Sequence, residues 1–191
     1  MDVGGELDVT MMHSVIHYAP LLVLLTWAAA VDLRERRIPN CLTLLMMLSG
    51  IAASMRSGAA IGPGGAVTGI LAGAALPFVL FVLGAMGGGD VKLMAGVGAW
   101  LGPAPALTVF IVEKVLGLII VLAQAAAQRR VGVLVRNSAI LTVNLLHVKD
   151  LGVEHAAWTG RECRSVSRPL PFAVPALAAV ILVILRLGSN V

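Results

Sequence analysis

Two aspartates carry the chemistry open to this sequence. Asp90 stands in Gly87-Gly88-Gly89-Asp90-Val91-Lys92, a stretch that interrupts a nearly continuous apolar run. No charged residue occurs from Ala66 to Met86, and apolar sequence resumes within a residue or two of Lys92. A carboxylate at the rim of an apolar medium costs several kcal/mol unless it is hydrated, paired or neutralised. Three glycines let the backbone turn sharply and let another segment approach closely. Asp90 is therefore placed where water and a partner chain can both reach it. The second carboxylate is Asp32. It closes the first apolar stretch and is followed by Leu33-Arg34-Glu35-Arg36-Arg37-Ile38-Pro39-Asn40.

Two carboxylates at one water-accessible site can share a proton, because like charges held close resist double ionisation. One then serves as general base toward a water. The other serves as general acid toward a carbonyl or a leaving amine. This is aspartic-protease chemistry, and it needs no metal. Each residue also has a plainer reading. Asp90 follows glycines and opens a helix, which suits an N-cap. Asp32 can pair with Arg34, Arg36 or Arg37 at a solvated helix end. An ion or proton path would use an acidic pair as well.

The elements that must position the pair are membrane spans. Only 13% of the 191 residues are charged and 59% are apolar, where a soluble domain carries roughly 25% charged residues. Mean hydropathy is +0.95. Several apolar stretches approach the roughly 20 residues that a spanning helix needs, and none shows the short alternation of a β-barrel. The composition thus predicts an all-α polytopic membrane protein with about six transmembrane helices. Residues 1–13 form an acidic tail predicted to be disordered, and 14–191 form a single membrane domain. Spans are predicted over 14–31, 40–55, 66–86, 90–101, 106–127 and 170–187. Pro39 suits the start of the second span, since a first helical turn tolerates proline. Residues 128–168 are one long polar connection, within which 131–148 can lie on the membrane surface as an interfacial helix.

Charge placement predicts orientation. Arg34, Arg36, Arg37, Lys92, Arg129, Arg130, Arg136, Lys149, Arg161, Arg164 and Arg168 all fall at one side of this topology; Arg56 falls on the other. Basic loops stay in the cytoplasm, so both termini are expected outside. Two spans separate Asp32 from Asp90, one out and one back. Both aspartates are therefore expected at the cytoplasmic side, at similar depth.

Three blocks together resemble a known family. They are Asp32 with Ile38-Pro39-Asn40, then Gly87-Gly88-Gly89-Asp90-Val91-Lys92-Leu93, then Leu170-Pro171-Phe172. The combination is similar to the prepilin peptidases, the type IV leader peptidases of the GxGD intramembrane aspartyl protease class. The likeness is strong over 32–101 and weaker in the last span. It implies that Asp32 and Asp90 form the catalytic dyad. Gly87 and Gly89 become the motif glycines, Lys92 the motif lysine, and Pro39 and Asn40 supporting positions. It implies cleavage of the short basic leader from type IV prepilins and pseudopilins, after a glycine, at the cytoplasmic face of the bacterial inner membrane. The implied partners are the leader peptide with its apolar helix, and the lipid bilayer. No cofactor, metal or nucleic acid is expected.

The chain departs from the larger members of that family. Those carry a cytoplasmic insertion with paired cysteines after the first span, and many also N-methylate their product. Here only Leu33 to Arg37 separates Asp32 from Ile38. The chain most resembles the short Tad/Flp-pilus branch.

The remaining polar residues are less pointed. Cys41 and Cys163 form no CxxC pair, so neither a disulfide framework nor a zinc site is indicated. The N-terminus carries Asp2, Glu6 and Asp8 where a secretory signal is basic, although Ala28-Ala29-Ala30 resembles a cleavage site. His13 and His17 are four apart but have no third ligand nearby. His147 and His155 suit a surface. Glu113 and Lys114 lie inside the fifth span, as a supporting ion pair or near the rim. Trp27, Trp100 and Trp158 suit interfacial positions near span ends. Gly69 and Gly73 are spaced for close helix packing. Two other functions would use similar features: a small ion-coupled transporter, or a non-catalytic subunit of a secretion or pilus assembly. The absence of repeated halves argues against the first.

Overall fold

The computed structural model describes residues 3–56, 59, 61–128, 132, 136 and 172–188. Among them the protein is all-helical, with six helices and no strand. These are α1 (Val3–Glu35), α2 (Asn40–Ser54), α3 (Pro63–Val82), α4 (Gly88–Leu101), α5 (Pro103–Ala127) and α6 (Ala173–Gly188). Their number and order follow the apolar stretches. The connection 128–168 with its interfacial helix lies outside the described residues, apart from Gln128, Gly132 and Arg136. So do Leu170, Pro171, His147, His155, Trp158 and Cys163.

The boundaries have local causes. Helix α1 begins at Val3, so it covers the acidic segment for which disorder was expected. It ends where Arg36 takes a left-handed conformation, φ 54°, and donates its N–H to the carbonyl of Asp32 at 2.9 Å. A non-glycine residue pays roughly 1 kcal/mol for that geometry. The turn redirects the chain within three residues to Pro39, which is the N-cap of α2 and not its first helical residue.

Helix α3 stops four residues before the predicted end. Gly84, φ 73°, donates to Phe81 O at 3.0 Å, and Ala85 donates to Leu80 O at 2.9 Å. This pair of bonds is a Schellman ending, which glycine in a left-handed conformation permits. The apolar residues Leu83 to Met86 belong to the turn. Gly102, φ 81°, divides α4 from α5, and Pro103 opens α5 at once.

Helix α4 occupies the centre, with every residue from Leu93 to Leu101 buried. Small residues let its neighbours approach. A methyl on Gly69 or Gly73 of α3 would collide with the carbonyls of Gly98 or Met94. A Cβ on Gly50 of α2 would lie 2.7 Å from Ala99 Cβ, and one on Gly96 of α4 would lie 2.9 Å from Met46 Cβ. Gly69 and Gly73 thus do what their spacing suggests. Trp100 stands next to last in α4. It is buried, and its indole N–H donates to Met46 O at 3.1 Å. Trp27 is exposed.

The outer surface is apolar. Leu71, Phe78, Ile111, Leu118, Ile119 and Leu182 are all exposed. Helices α3 and α5 are long and apolar enough to cross a membrane, with hydropathy 2.1 and 2.4. Less than a quarter of each spanning window is buried inside the protein. Such a surface suits a hydrocarbon solvent, because a water-soluble chain rarely leaves a large contiguous apolar patch exposed. On the inner side, α6 packs on α1 and α5 through Ala176, Ala179, Val180 and Val183, against residues that include Leu21, Leu25 and Ala28.

Candidate active site

Asp32 lies in the last turn of α1, at the negative pole of that helix. A carboxylate there needs donors from elsewhere. It is buried, and the start of α6 supplies one: Ala173 N–H donates to Oδ2 at 3.0 Å. The first amides of a helix have no acceptor within it, so this bond meets the needs of both groups. Among the described residues, Asp32 makes no ion pair with Arg34, Arg36 or Arg37, which are exposed. The simple surface-pair reading of Asp32 does not hold.

Asp90 sits in the first turn of α4, where the helix end favours negative charge. The N-cap is Gly87, three residues earlier than the aspartate. Asp90 Oδ2 accepts the Gly87 N–H at 3.2 Å, so the carboxylate caps the helix by reaching back. Gly87 must be small for this. A Cβ there would lie 3.2 Å from Oδ2 and crowd the carboxylate.

The two motif blocks meet in space. Gly89 faces Ile38, with Ile38 Cβ 3.5 Å from where a Gly89 Cβ would stand. Lys92 is exposed and donates from Nζ to Asn40 Oδ1 at 2.9 Å. Lys92 therefore ties the start of α4 to the start of α2 and leaves both carboxylates unpaired by it. Pro39 fixes where α2 begins, and thus where Asn40 stands. Asp32 and Asp90 make no direct hydrogen bond with each other; each accepts a backbone N–H instead.

A third group reaches the same level. From Asp90 to Leu101, α4 advances eleven residues; from Pro103 to Lys114, α5 returns by eleven. At 1.5 Å per residue each leg is about 16 Å, so Lys114 comes back to the depth of Asp90. Lys114 Nζ is 3.1 Å from Oε2 of the buried Glu113. It also lies over the ring of Phe172 at 4.1 Å and that of Phe110 at 5.0 Å. The sequence held this clue in the equal legs about Gly102. The Ala173 amide had no sequence signal, because any residue other than proline supplies one.

The arrangement offers two carboxylates on different helices, each with a backbone donor, beside one cation. It can hold and move a proton. A model of the type IV leader peptidase family matches residues 19–122, a range that contains Asp32, Asp90 and Lys114. No curated protein and no solved structure matches the chain. The family match covers more than half of the sequence, including both aspartates and the helices that bring them together, and on that ground the chain belongs to the type IV leader peptidase family and is a protease.

Proposed function

We propose that this protein is an aspartyl endopeptidase of the inner membrane. It removes the short basic leader from type IV prepilins and pseudopilins of the Tad/Flp type. The observation that carries the proposal is the meeting of the two motif blocks, with Lys92 Nζ on Asn40 Oδ1 at 2.9 Å and Gly89 against Ile38, which sets the start of the Asp90 helix beside the turn that follows Asp32. In this reading six helices cross the bilayer, both termini lie outside, and the pair faces the cytoplasm. The basic residues Arg34, Arg36, Arg37 and Lys92 around the pair support that orientation.

The chemistry follows from one shared proton. The ionised carboxylate takes a proton from a water, whose oxygen bonds to the scissile carbonyl carbon. The protonated carboxyl gives its proton to the carbonyl oxygen. When the tetrahedral intermediate collapses, the C–N bond breaks, and the leaving nitrogen takes the proton from the carboxyl that received it. As the carbonyl re-forms, the other carboxylate takes back a proton from a hydroxyl of the intermediate, and the dyad returns to its starting state with one shared proton. Lys92, Asn40, Pro39 and the motif glycines hold the scaffold and take no proton.

The test is leader removal in cells that co-express a prepilin. Asp32→Asn and Asp90→Asn should each abolish cleavage at normal membrane level, and the double variant should be no worse than either, because residues acting as a unit are non-additive. Glu35→Gln, three residues from Asp32 and exposed, should cleave normally. Cleavage retained by either single Asn variant rejects the dyad.

A further inference from the structure

The Ala173–Asp32 bond depends on where α6 begins, and the structure holds that start in one way. Phe172 immediately precedes Ala173, and the Lys114 ammonium lies 4.1 Å above its ring. Lys114 is itself restrained. Glu113 holds Nζ at 3.1 Å, and Phe110, one turn earlier on α5, presents its ring at 5.0 Å. A cation over an aromatic ring is attracted more strongly as water is excluded. Glu113 is buried, so neither member of the pair can leave without exposing the other to an apolar medium. A chain of contacts therefore runs from Glu113 through Lys114 and Phe172 to Ala173 and Asp32.

We infer that Lys114 is a positioning residue for the aspartate pair: clamped by Glu113, it fixes Phe172 and so keeps the Ala173 N–H on Asp32. The inference rests on the proposed dyad for its effect on rate, but its structural half stands apart. A second strand of the argument is depth, since the equal legs about Gly102 return Glu113 and Lys114 to about the level of Asp90. The α5 pair thus borders the site on the α6 side and on the α4 side.

A purely structural ion pair makes a different prediction, because buried pairs are often replaceable by neutral residues of similar size. The double variant Glu113→Gln/Lys114→Met removes both charges together and avoids a stranded ion. Phe172→Leu keeps apolar volume and removes the ring. Two measurements are made on purified, membrane-reconstituted full-length protein. The first is steady-state cleavage of a prepilin. The second is hydrogen exchange in a peptide containing the Ala173 amide, with Asp32→Ala as the reference for a lost acceptor.

Both variants should lose about tenfold in kcat with KM changed by less than about twofold. Both should speed exchange at Ala173 toward the Asp32→Ala rate. Lys114→Arg keeps the cation and should recover most of the kcat that Lys114→Met loses. Wild-type exchange at Ala173 in the double variant overturns the inference whatever the rate does. Faster exchange with wild-type kcat overturns it too, since positioning then has no consequence. If the unaltered protein cleaves no prepilin, the proposed function fails, and the exchange measurement still decides whether Lys114 holds Ala173 on Asp32.

Discussion

The close crossing of α3 and α4 should be the least forgiving feature of the fold. Gly69→Ala puts a methyl onto the carbonyl oxygen of Gly98 and within 2.9 Å of Gly102 Cα. Both obstacles are backbone, so no side chain can swing away. Restoring normal contact distances requires the helices to part by roughly 1 Å. Overpacking of this kind costs about 2 kcal/mol, and the better helix propensity of alanine returns up to about 1 kcal/mol. The net loss is about 1 kcal/mol, read as a lower thermal midpoint in detergent. The effect on cleavage should be larger. Gly98 and Asp90 are on the same short helix, and a displacement of roughly 1 Å at a catalytic group can cost about 100-fold in rate. Gly117→Ala on α5 is the matched control, because its new Cβ would meet no atom within 4 Å. It should hold or raise the midpoint and cleave normally. If Gly69→Ala matches Gly117→Ala in both midpoint and rate, α4 is not held by this crossing and the reasoning fails.

Two further outcomes are expected. Gly87→Ala brings a methyl to 3.2 Å from Asp90 Oδ2 and should lower kcat by about fivefold; Gly89→Ala meets Ile38 at an ordinary 3.5 Å and should stay within about twofold. The reverse order, in the same cleavage assay, contradicts the placement of the carboxylate over Gly87. For topology, in a Cys41→Ser/Cys163→Ser background, an impermeant thiol reagent added to intact cells should label Gly62→Cys and spare Glu35→Cys. The opposite pattern would put the aspartates on the outer side.

Much of the architecture was legible because its causes are local or periodic. Long apolar runs broken by Gly62-Pro63, Gly102-Pro103 and the glycine triplet announce helices and their ends. The count of apolar stretches announced six helices, two of them between those that carry Asp32 and Asp90. Errors arose where apolar residues do something other than continue a helix. Leu83 to Met86 look like the tail of α3, yet Gly84 closes the helix before them.

The sequence by itself indicated a membrane character and six helices and singled out two carboxylates, since composition, spacing and residue type point to these without reference to neighbours. Tertiary structure alone decided what each carboxylate touches. Asp32 receives a backbone amide from α6, a segment far along the chain, and backbone amides carry no sequence mark. Asp90 turns back to Gly87 while Lys92 turns away to Asn40, a choice set by the distance between α2 and α4. Lys114 reaches the pair because α4 is short and α5 reverses it from Gly102, so that equal lengths of helix bring a cation to the depth of an acid.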